Sequence, residues 1–435
     1  MISQTLVMTA DTAMTGRLGV EPQAAAGMSG MILWTLLSFL MGGAIGVQII
    51  AAGREGEKNY REAGRTLTTT LACVAPAGVL IALLGFFFAD RIIPVFSDRS
   101  EIQELAVPFL QIRFWGILFY LPAIILSGFF DGLGRTKIVM FSSFLTAGGN
   151  ILLNWWLIYG GLGMPALGLN GAALASTIAG FLGLSVYLAV LPAPSLRRYF
   201  TGPRSGTSFL QIARKVFLLS LPAALEGFIM HAAIMAFYRF SSDISSVSMA
   251  ATNIVVTILS FSFMPGYAFG IAATTLTGMA LGAKKPSLAY ASAHRSAHFS
   301  GIVMSGTGLV FLAFHAPFIS FFTPDPAVLR EAIPCLILVA LAQPADGYGM
   351  VMSGALRGAG RVYQVLFINS IGSFVVMLPV AYVLAFPLGL ETVGLWIAIL
   401  CWIIFVGIAF LLRFNRVMRG SFLGAPRTKL SGRTR

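Results

Sequence analysis

Charge is scarce in this sequence. Asp, Glu, Lys and Arg make up 10% of 435 residues, against about 25% in an ordinary soluble domain. Cysteine is scarcer: Cys73, Cys335 and Cys401 all lie in apolar stretches, which excludes both a disulfide framework and a zinc ligand spacing. The apolar residues show no ten-residue alternation with polar ones, which excludes a transmembrane barrel. No Ser/His/Asp set, HExxH or phosphate-loop pattern is present, so neither catalysis nor ATP hydrolysis has residues to carry it. "GGLGMPALGLNG" (160–171) is glycine-rich, but it joins two apolar segments rather than a strand and a helix, and reads as a tight extracellular turn. A basic leader with a cleavage site is also missing.

What the sequence has in excess is long apolar runs, with 57% of residues hydrophobic. Runs such as 66–89, 138–159 and 393–412 approach the roughly 20 residues with which a helix crosses a bilayer. The fold class is therefore an all-α polytopic membrane protein. Twelve segments are expected, at 1–20, 24–52, 66–89, 105–130, 138–160, 168–194, 216–240, 247–281, 298–323, 328–356, 362–386 and 391–414. Of the 29 Lys and Arg, 23 fall in 53–65, 131–137, 195–215, 282–297, 357–361 and 413–435, and Arg17, Arg91, Arg99, Arg239 and Arg330 lie on the other side. This asymmetry places the even-numbered loops and the C-terminus in the cytoplasm. The net charge of +13 is thus a topology signal, not a nucleic-acid footprint.

The chain repeats itself. "SGFFDGLGR" (127–135) and "SGALRGAGR" (353–361) match at five of nine positions with an offset of 226. "LGLNGAALA" (167–175) is echoed by "ETVGLWIA" (391–398), and "AAG" (51–53) by "ALGA" (280–283). Two six-helix lobes are expected, 1–194 and 216–414, joined by a cytoplasmic linker at 195–215 and followed by a basic cytoplasmic tail at 415–435. An even helix number sets the repeats parallel. "LSLPAALEGF" of the seventh segment has its counterpart before Met1, so the first helix is expected to be truncated at its start.

Three acids stand inside apolar segments: Asp11, Glu226 and Asp346. An ionised Asp at mid-bilayer costs about 2.5–3.5 kcal/mol, so such groups face a cavity and bind what neutralises them. A proton or Na⁺ is the simplest ligand. The competing reading, a structural hydrogen-bonding group near a helix end, stays open for each and most of all for Glu226. Pro344, Gly347 and Gly349 flank Asp346, and its helix is expected to bend or open there. Arg113, within "QIRFWG", either pairs with an acid or lines a cavity. His294 and His298 are spaced i, i+4 at a segment mouth and read as an interfacial pair rather than a metal site. Trp34, Phe261, Met264 and Tyr348 are candidates for loose binding of flat organic cations, with ordinary packing the alternative for each.

"ADTAMTGRLG", "GLGRTK", "GNILLNWWLIYGGLGMPALGLNGAALAST", "AATTLTGMALGA" and "SGALRGAGR" occur in this order over nearly the whole chain. In this they resemble the MATE family, the multidrug and toxic compound extrusion carriers, and the NorM-type branch most. The resemblance implies two six-helix lobes around a V-shaped cavity, with export driven by an inward H⁺ or Na⁺ gradient and no other cofactor. It places Asp11 on the family's first-helix acid, Asp346 on the tenth-helix acid of the NorM-type branch, and Asn150 and Asn154 on the paired fifth-helix positions. The DinF-type branch has Asp where this chain has Asn154. The NorM-type seventh-helix Glu aligns near Met230, one turn beyond Glu226. Na⁺ binding is implied at Asp346, Glu226 or Asp11, with no structural metal. The expected function is cation-coupled antiport of lipophilic, cationic or otherwise amphipathic small molecules by alternating access. The expected setting is a monomer in the bacterial inner membrane, with the lipid bilayer as its other partner. A lipid-linked precursor or polysaccharide flippase and a non-transporting membrane receptor are the alternatives. The flippase reading needs a cationic cavity for phosphate, where the sequence offers Arg113 against three acids.

Overall fold

The structure, a computed structural model, describes residues 2–161, 163–201 and 207–423; side chains of 2–6, 8 and 421–423 lie outside the description. Its elements are helices. In order they are α1 (Ile2–Gly16), α2 (Val20–Gly56), α3 (Tyr60–Ile92), α4 (Ser100–Gly132), α5 (Thr136–Tyr159), α6 (Gly168–Val190), α7 (Arg197–Phe200), α8 (Phe209–Ile244), α9 (Ser246–Gly282), α10 (Pro286–Ala313), α11 (His315–Ser320), α12 (Pro326–Gly358), α13 (Val362–Ile371), α14 (Leu378–Ala385) and α15 (Glu391–Leu423). Among the described residues eleven helical stretches are long and apolar enough to cross a membrane; Val362–Ala385 forms one of them, and α1 is not among them. The polytopic all-α reading therefore holds.

Local chemistry sets the breaks. Asn59 caps α3 by accepting from Glu62 N, Ser245 caps α9 by accepting from Ser248 N, and Asp325 caps α12 ahead of Pro326. These side chains satisfy backbone donors that a helix start leaves open. The expected segment 298–323 is instead two helices, because Pro317 has no N–H to give to the Ala313 carbonyl where α10 ends. The expected segment 362–386 contains a π turn at Gly372–Met377. Pro379 follows it and cannot donate to Val375, so the backbone register shifts there. By contrast, α12 runs unbroken through Pro344 and past Asp346, so the local opening expected there is absent. The glycine-rich turn after α5 is a tight one, closed by a Gly161–Met164 bridge, with Gly160, Gly161 and Gly163 all at positive φ.

Two compact units form, Met1–Ile234 and Met235–Arg435, and α8 runs from the first into the second. Within the first, Gly128 and Gly132 of α4 lie directly on the backbone of α2. A Cβ at these positions would stand 2.4 Å from the Ala44 carbonyl oxygen and 2.7 Å from that of Gln48. Within the second, Gly354 and Gly358 of α12 do the same to α9, at 2.1 Å from the Gly270 oxygen and 2.3 Å from the Thr274 oxygen. All four pairs are related by the offset of 226. The sequence repeat is thus a repeated G-x-x-x-G contact, in which missing side chains let two helices touch backbone to backbone. Both copies end alike, with Gly134 and Gly360 in the left-handed region and the amides of Arg135 and Arg361 bonded back to the carbonyls of Phe130 and Leu356. Lys58 and Lys284, again 226 apart, share φ values of 59° and 58°.

In the first unit the segment after α6 is anchored on the α2–α3 turn. Tyr199, fully buried, donates to Glu55 Oε2 at 2.8 Å, and Arg198 reaches Glu55 Oε1 at 3.1 Å while lying 4.0 Å over the Tyr60 ring. Burial pushes the Tyr199 phenol above its ordinary range, so it stays a hydrogen-bond donor.

Overpacking a helix seam destabilises by about 1–3 kcal/mol. Gly354→Ala is expected to cost at least about 2 kcal/mol, seen as a lower unfolding temperature in detergent. Gly148→Ala, which meets nothing within 4 Å, is expected to leave the melt unchanged or raise it slightly. Equal melts for the two variants would contradict the seam.

Candidate functional site

In the first unit α1 packs on α5, and Tyr159 fixes the pair by donating to the Met14 carbonyl at 2.9 Å. This sets Asp11 against the asparagines of α5. Asn154 Nδ2 donates both to Asp11 Oδ1 and, at 3.0 Å, to Asn150 Oδ1. Asn150 Nδ2 continues to Ser176 on α6 at 3.2 Å. Asn154 and Asn150 are buried, whereas Asp11 is half-buried. With both its N–H groups used, Asn154 keeps a buried Oδ1 with no hydrogen bond. An unsatisfied carbonyl oxygen beside a carboxylate is a donor set for a proton or a small hard cation. Arg113 of α4 is within electrostatic reach of Asp11.

In the second unit Asp346 lies on α12, the helix on which α9, α10 and α15 all pack. Gly347 faces Ser300 and Met304 of α10, Met350 faces Gly266 and Gly270 of α9, and Ala345 with Gly349 faces Gly407 of α15. At 100° per residue, Asp346 falls on the arc between the α9 and α15 faces. It is half-buried, and among the described residues its carboxylate has no hydrogen-bond or ion-pair partner. Asp11 is therefore a held acid and Asp346 an open one.

The remaining residues separate. Glu226 is buried on α8 within the first unit, whereas Asp346 belongs to the second. Tyr348 is two residues from Asp346 and so turns nearly to the opposite side of α12, where it bonds His298 Nδ1 and covers Gly301. His294 bonds Asn415 at 2.9 Å, so the two histidines have different partners and do not converge. Phe261 is exposed on α9 with Met264 half-buried near it. Trp34 is 47% exposed and donates to His231. No group of three or more His, Cys, Asp or Glu that could hold a metal ion occurs among the described residues.

Two features escaped the sequence. One is His231, whose signal was available: a lone titratable residue in "FIMHAAIM". The other is a chain of buried hydroxyls in the second unit. Thr252 and Ser241 are 2.9 Å apart, Ser241 and Ser248 3.1 Å, and Ser248 and Thr392 2.8 Å; Thr392 then bonds Glu331. It ties together α8, α9, α12 and α15, and no spacing in the sequence announces it.

The MatE family model matches residues 1–156 and 222–383. The chain is 30% identical over 434 residues to the probable multidrug resistance protein NorM of Brucella suis, covering 95% of this chain and 90% of that one. It is 27% identical over 419 residues to the protein of the same name from Thermotoga maritima, covering 93% and 87%. Among solved structures, a point-mutant form of MATE superposes with a TM-score of 0.90 at 20% identity, covering 97% of this chain and 93% of that one. An outward-facing multidrug resistance MATE family transporter of the MOP superfamily superposes with a TM-score of 0.86 at 20% identity, covering 96% and 93%.

If the Asn154–Asp11 bond organises this site, the two residues must be energetically coupled. A double-mutant cycle of Asn154→Ala and Asp11→Asn on thermal stability is expected to give an interaction of about 0.6–2 kcal/mol. Additive effects would contradict the pairing.

Proposed function

The chain belongs to the MatE family, whose members are transporters and not enzymes, and on that premise we propose that it is a cation-coupled exporter of amphipathic organic compounds. The observation that carries the reading is a pair of aspartates, Asp11 and Asp346, one in each compact unit, both half-buried rather than sealed. A carboxylate kept at such depth must be neutralised for part of its time. Protons or Na⁺ supply that from the side where they are abundant, and an organic cation competes for the same charge. No resident cofactor enters; the coupling ion is cargo.

Among the described residues Asp346 has no hydrogen-bond or ion-pair partner, so an incoming ion or cationic substrate takes that place. Asp11 is oriented by Asn154 and balanced by Arg113. Ion uptake there competes with a standing interaction, which suits a group that responds to conformation. The acids are charged and open to substrate when the transporter faces inward, then take up H⁺ or Na⁺ and release the substrate when it faces outward. Trp34 and Phe261, large aromatics exposed within spans, suit flat, lipophilic cations. The NorM names of the relatives point to multidrug export. The bacterial relatives support a bacterial inner membrane, the charge asymmetry supports basic loops and a C-terminus inside, and the protein works as a monomer. A flippase for phosphate-bearing lipids is disfavoured, because the arginine set deep in a span, Arg113, is already coupled to Asp11.

The test is uptake of a fluorescent organic cation into vesicles holding the purified protein, under an imposed pH or Na⁺ gradient. The parent is expected to transport with one of the two gradients, and Asp346→Asn to lose at least about tenfold of that rate, one ion-binding interaction's worth, while melting like the parent. Equal transport by Asp346→Asn would assign Asp346 a structural role and remove the mechanism.

A further inference from the structure

His231 sits on the seam between α2 and α8. Farther along these helices, near the basic loops, the seam is closed by backbone. A Cβ at Gly46 would stand 2.3 Å from Ser220 Oγ and 3.0 Å from the Val216 carbonyl oxygen, and one at Gly42 2.5 Å from the Ser220 carbonyl oxygen. The helices run antiparallel, so the next pairs along the seam are Ser38 with Gly227 and then Trp34 with His231. A Cβ at Gly227 would already be 3.9 Å from Ser38 O. Beyond it a side-chain hydrogen bond spans the seam, from Trp34 Nε1 to His231 Nε2 at 3.2 Å.

The state of this imidazole is fixed by its partners. Its Nδ1 is 2.7 Å from the Gly227 carbonyl oxygen. An indole N–H can only donate and a carbonyl can only accept. The ring therefore donates from Nδ1 and accepts at Nε2, which is a neutral tautomer. A second proton would go to Nε2, since Nδ1 already carries one, and would set N–H against N–H across the seam. Histidine is the side chain whose ordinary titration crosses physiological pH. The ring is half-buried.

Few other charges act on it. Between Glu21 and Arg54, α2 carries no charged residue. On α8 the neighbours are Glu226, five residues before it, and Arg239, which is paired with Asp243 at 3.0 Å. Elsewhere in the first unit, Asp11 of α1 and Arg113 of α4 act electrostatically on each other, and α3 and α4 also carry Glu62, Asp90, Arg91 and Asp131.

We propose that His231 is a proton-binding group of this transporter: neutral, it closes the outer α2–α8 seam by accepting from Trp34, and a proton taken from water at Nε2 releases that bond. One N–H bond forms at Nε2, one hydrogen bond is lost, and no electrons move. The part this plays in transport rests on the exporter reading; the proton site itself does not.

The purified protein in detergent tests the site through its tryptophan fluorescence between about pH 8 and about pH 5. Subtracting Trp34→Phe from the parent isolates Trp34. That signal is expected to fall severalfold as pH drops, because an imidazolium quenches the indole beside it. In His231→Gln, whose amide oxygen can still accept but does not titrate, the fall is expected to vanish. A flat Trp34 signal, or one that titrates equally in His231→Gln, overturns the proposal. In vesicles, the pH dependence of export by the parent is expected to lose up to roughly tenfold of its range in His231→Gln, one hydrogen bond's worth. An unchanged profile there removes His231 from the transport cycle. If no gradient drives export but the Trp34 titration persists, the proton site stands and the exporter reading falls.

Discussion

The contact on which the rest depends is backbone on backbone. Gly128 and Gly132 seat α4 on α2, and Gly354 and Gly358 seat α12 on α9, at separations that leave no room for a methyl group. Lipid supplies no hydrophobic drive for helices to associate, so close packing and hydrogen bonds must do it. Thr274 adds to the second seam by donating to the Gly354 carbonyl at 2.9 Å. With these helices fixed, α12 becomes the helix around which α9, α10 and α15 gather, and Asp346 is carried to a defined arc of it. The acid is placed by glycines that never touch it.

The same constraint separates the two aspartates chemically. Asp11 is on a short helix held to α5 by side-chain bonds, through Asn154 and through Tyr159 to the Met14 carbonyl. Asp346 is on a long helix held by its backbone, and among the described residues no side chain answers its carboxylate. One acid is positioned by polar partners that can exchange; the other is presented by a rigid element and left to its ligand. On the proposed coupling, a proton or Na⁺ would meet different competition at the two, a physical basis for binding in more than one step.

Much of this was legible in the sequence because it is local or periodic. Apolar run length located the spans, and the 226-residue offset marked the two segments whose glycines form the seams. Asp11, Asn150 and Asn154, which the resemblance assigns to the first and fifth helices, meet because an i, i+4 pair on α5 presents one face to α1. Other features hide because they are decided between distant segments. The bond from Trp34 to His231 crosses 197 residues and the one from Ser248 to Thr392 crosses 144, and neither partner's neighbourhood names the other. Proline misled in both directions. Pro344 leaves α12 helical throughout, so the local opening that was one of the two expectations there is absent; Pro317 and Pro379 alter segments that had looked uniform. What differs is whether surrounding helices hold the backbone in place once its hydrogen bond is gone.

The central claim is that an organic cation and a coupling ion compete for the same carboxylates, and equilibrium binding tests it without any gradient. The measurement is the affinity of the purified protein for a fluorescent organic cation as pH is lowered or Na⁺ is raised. Linkage requires that an ion sharing its site with the dye weaken dye binding. The account predicts displacement by one of the two ions in the parent, and its loss when both Asp11 and Asp346 are replaced by Asn. Dye binding that is tight in the parent yet indifferent to both ions would contradict it.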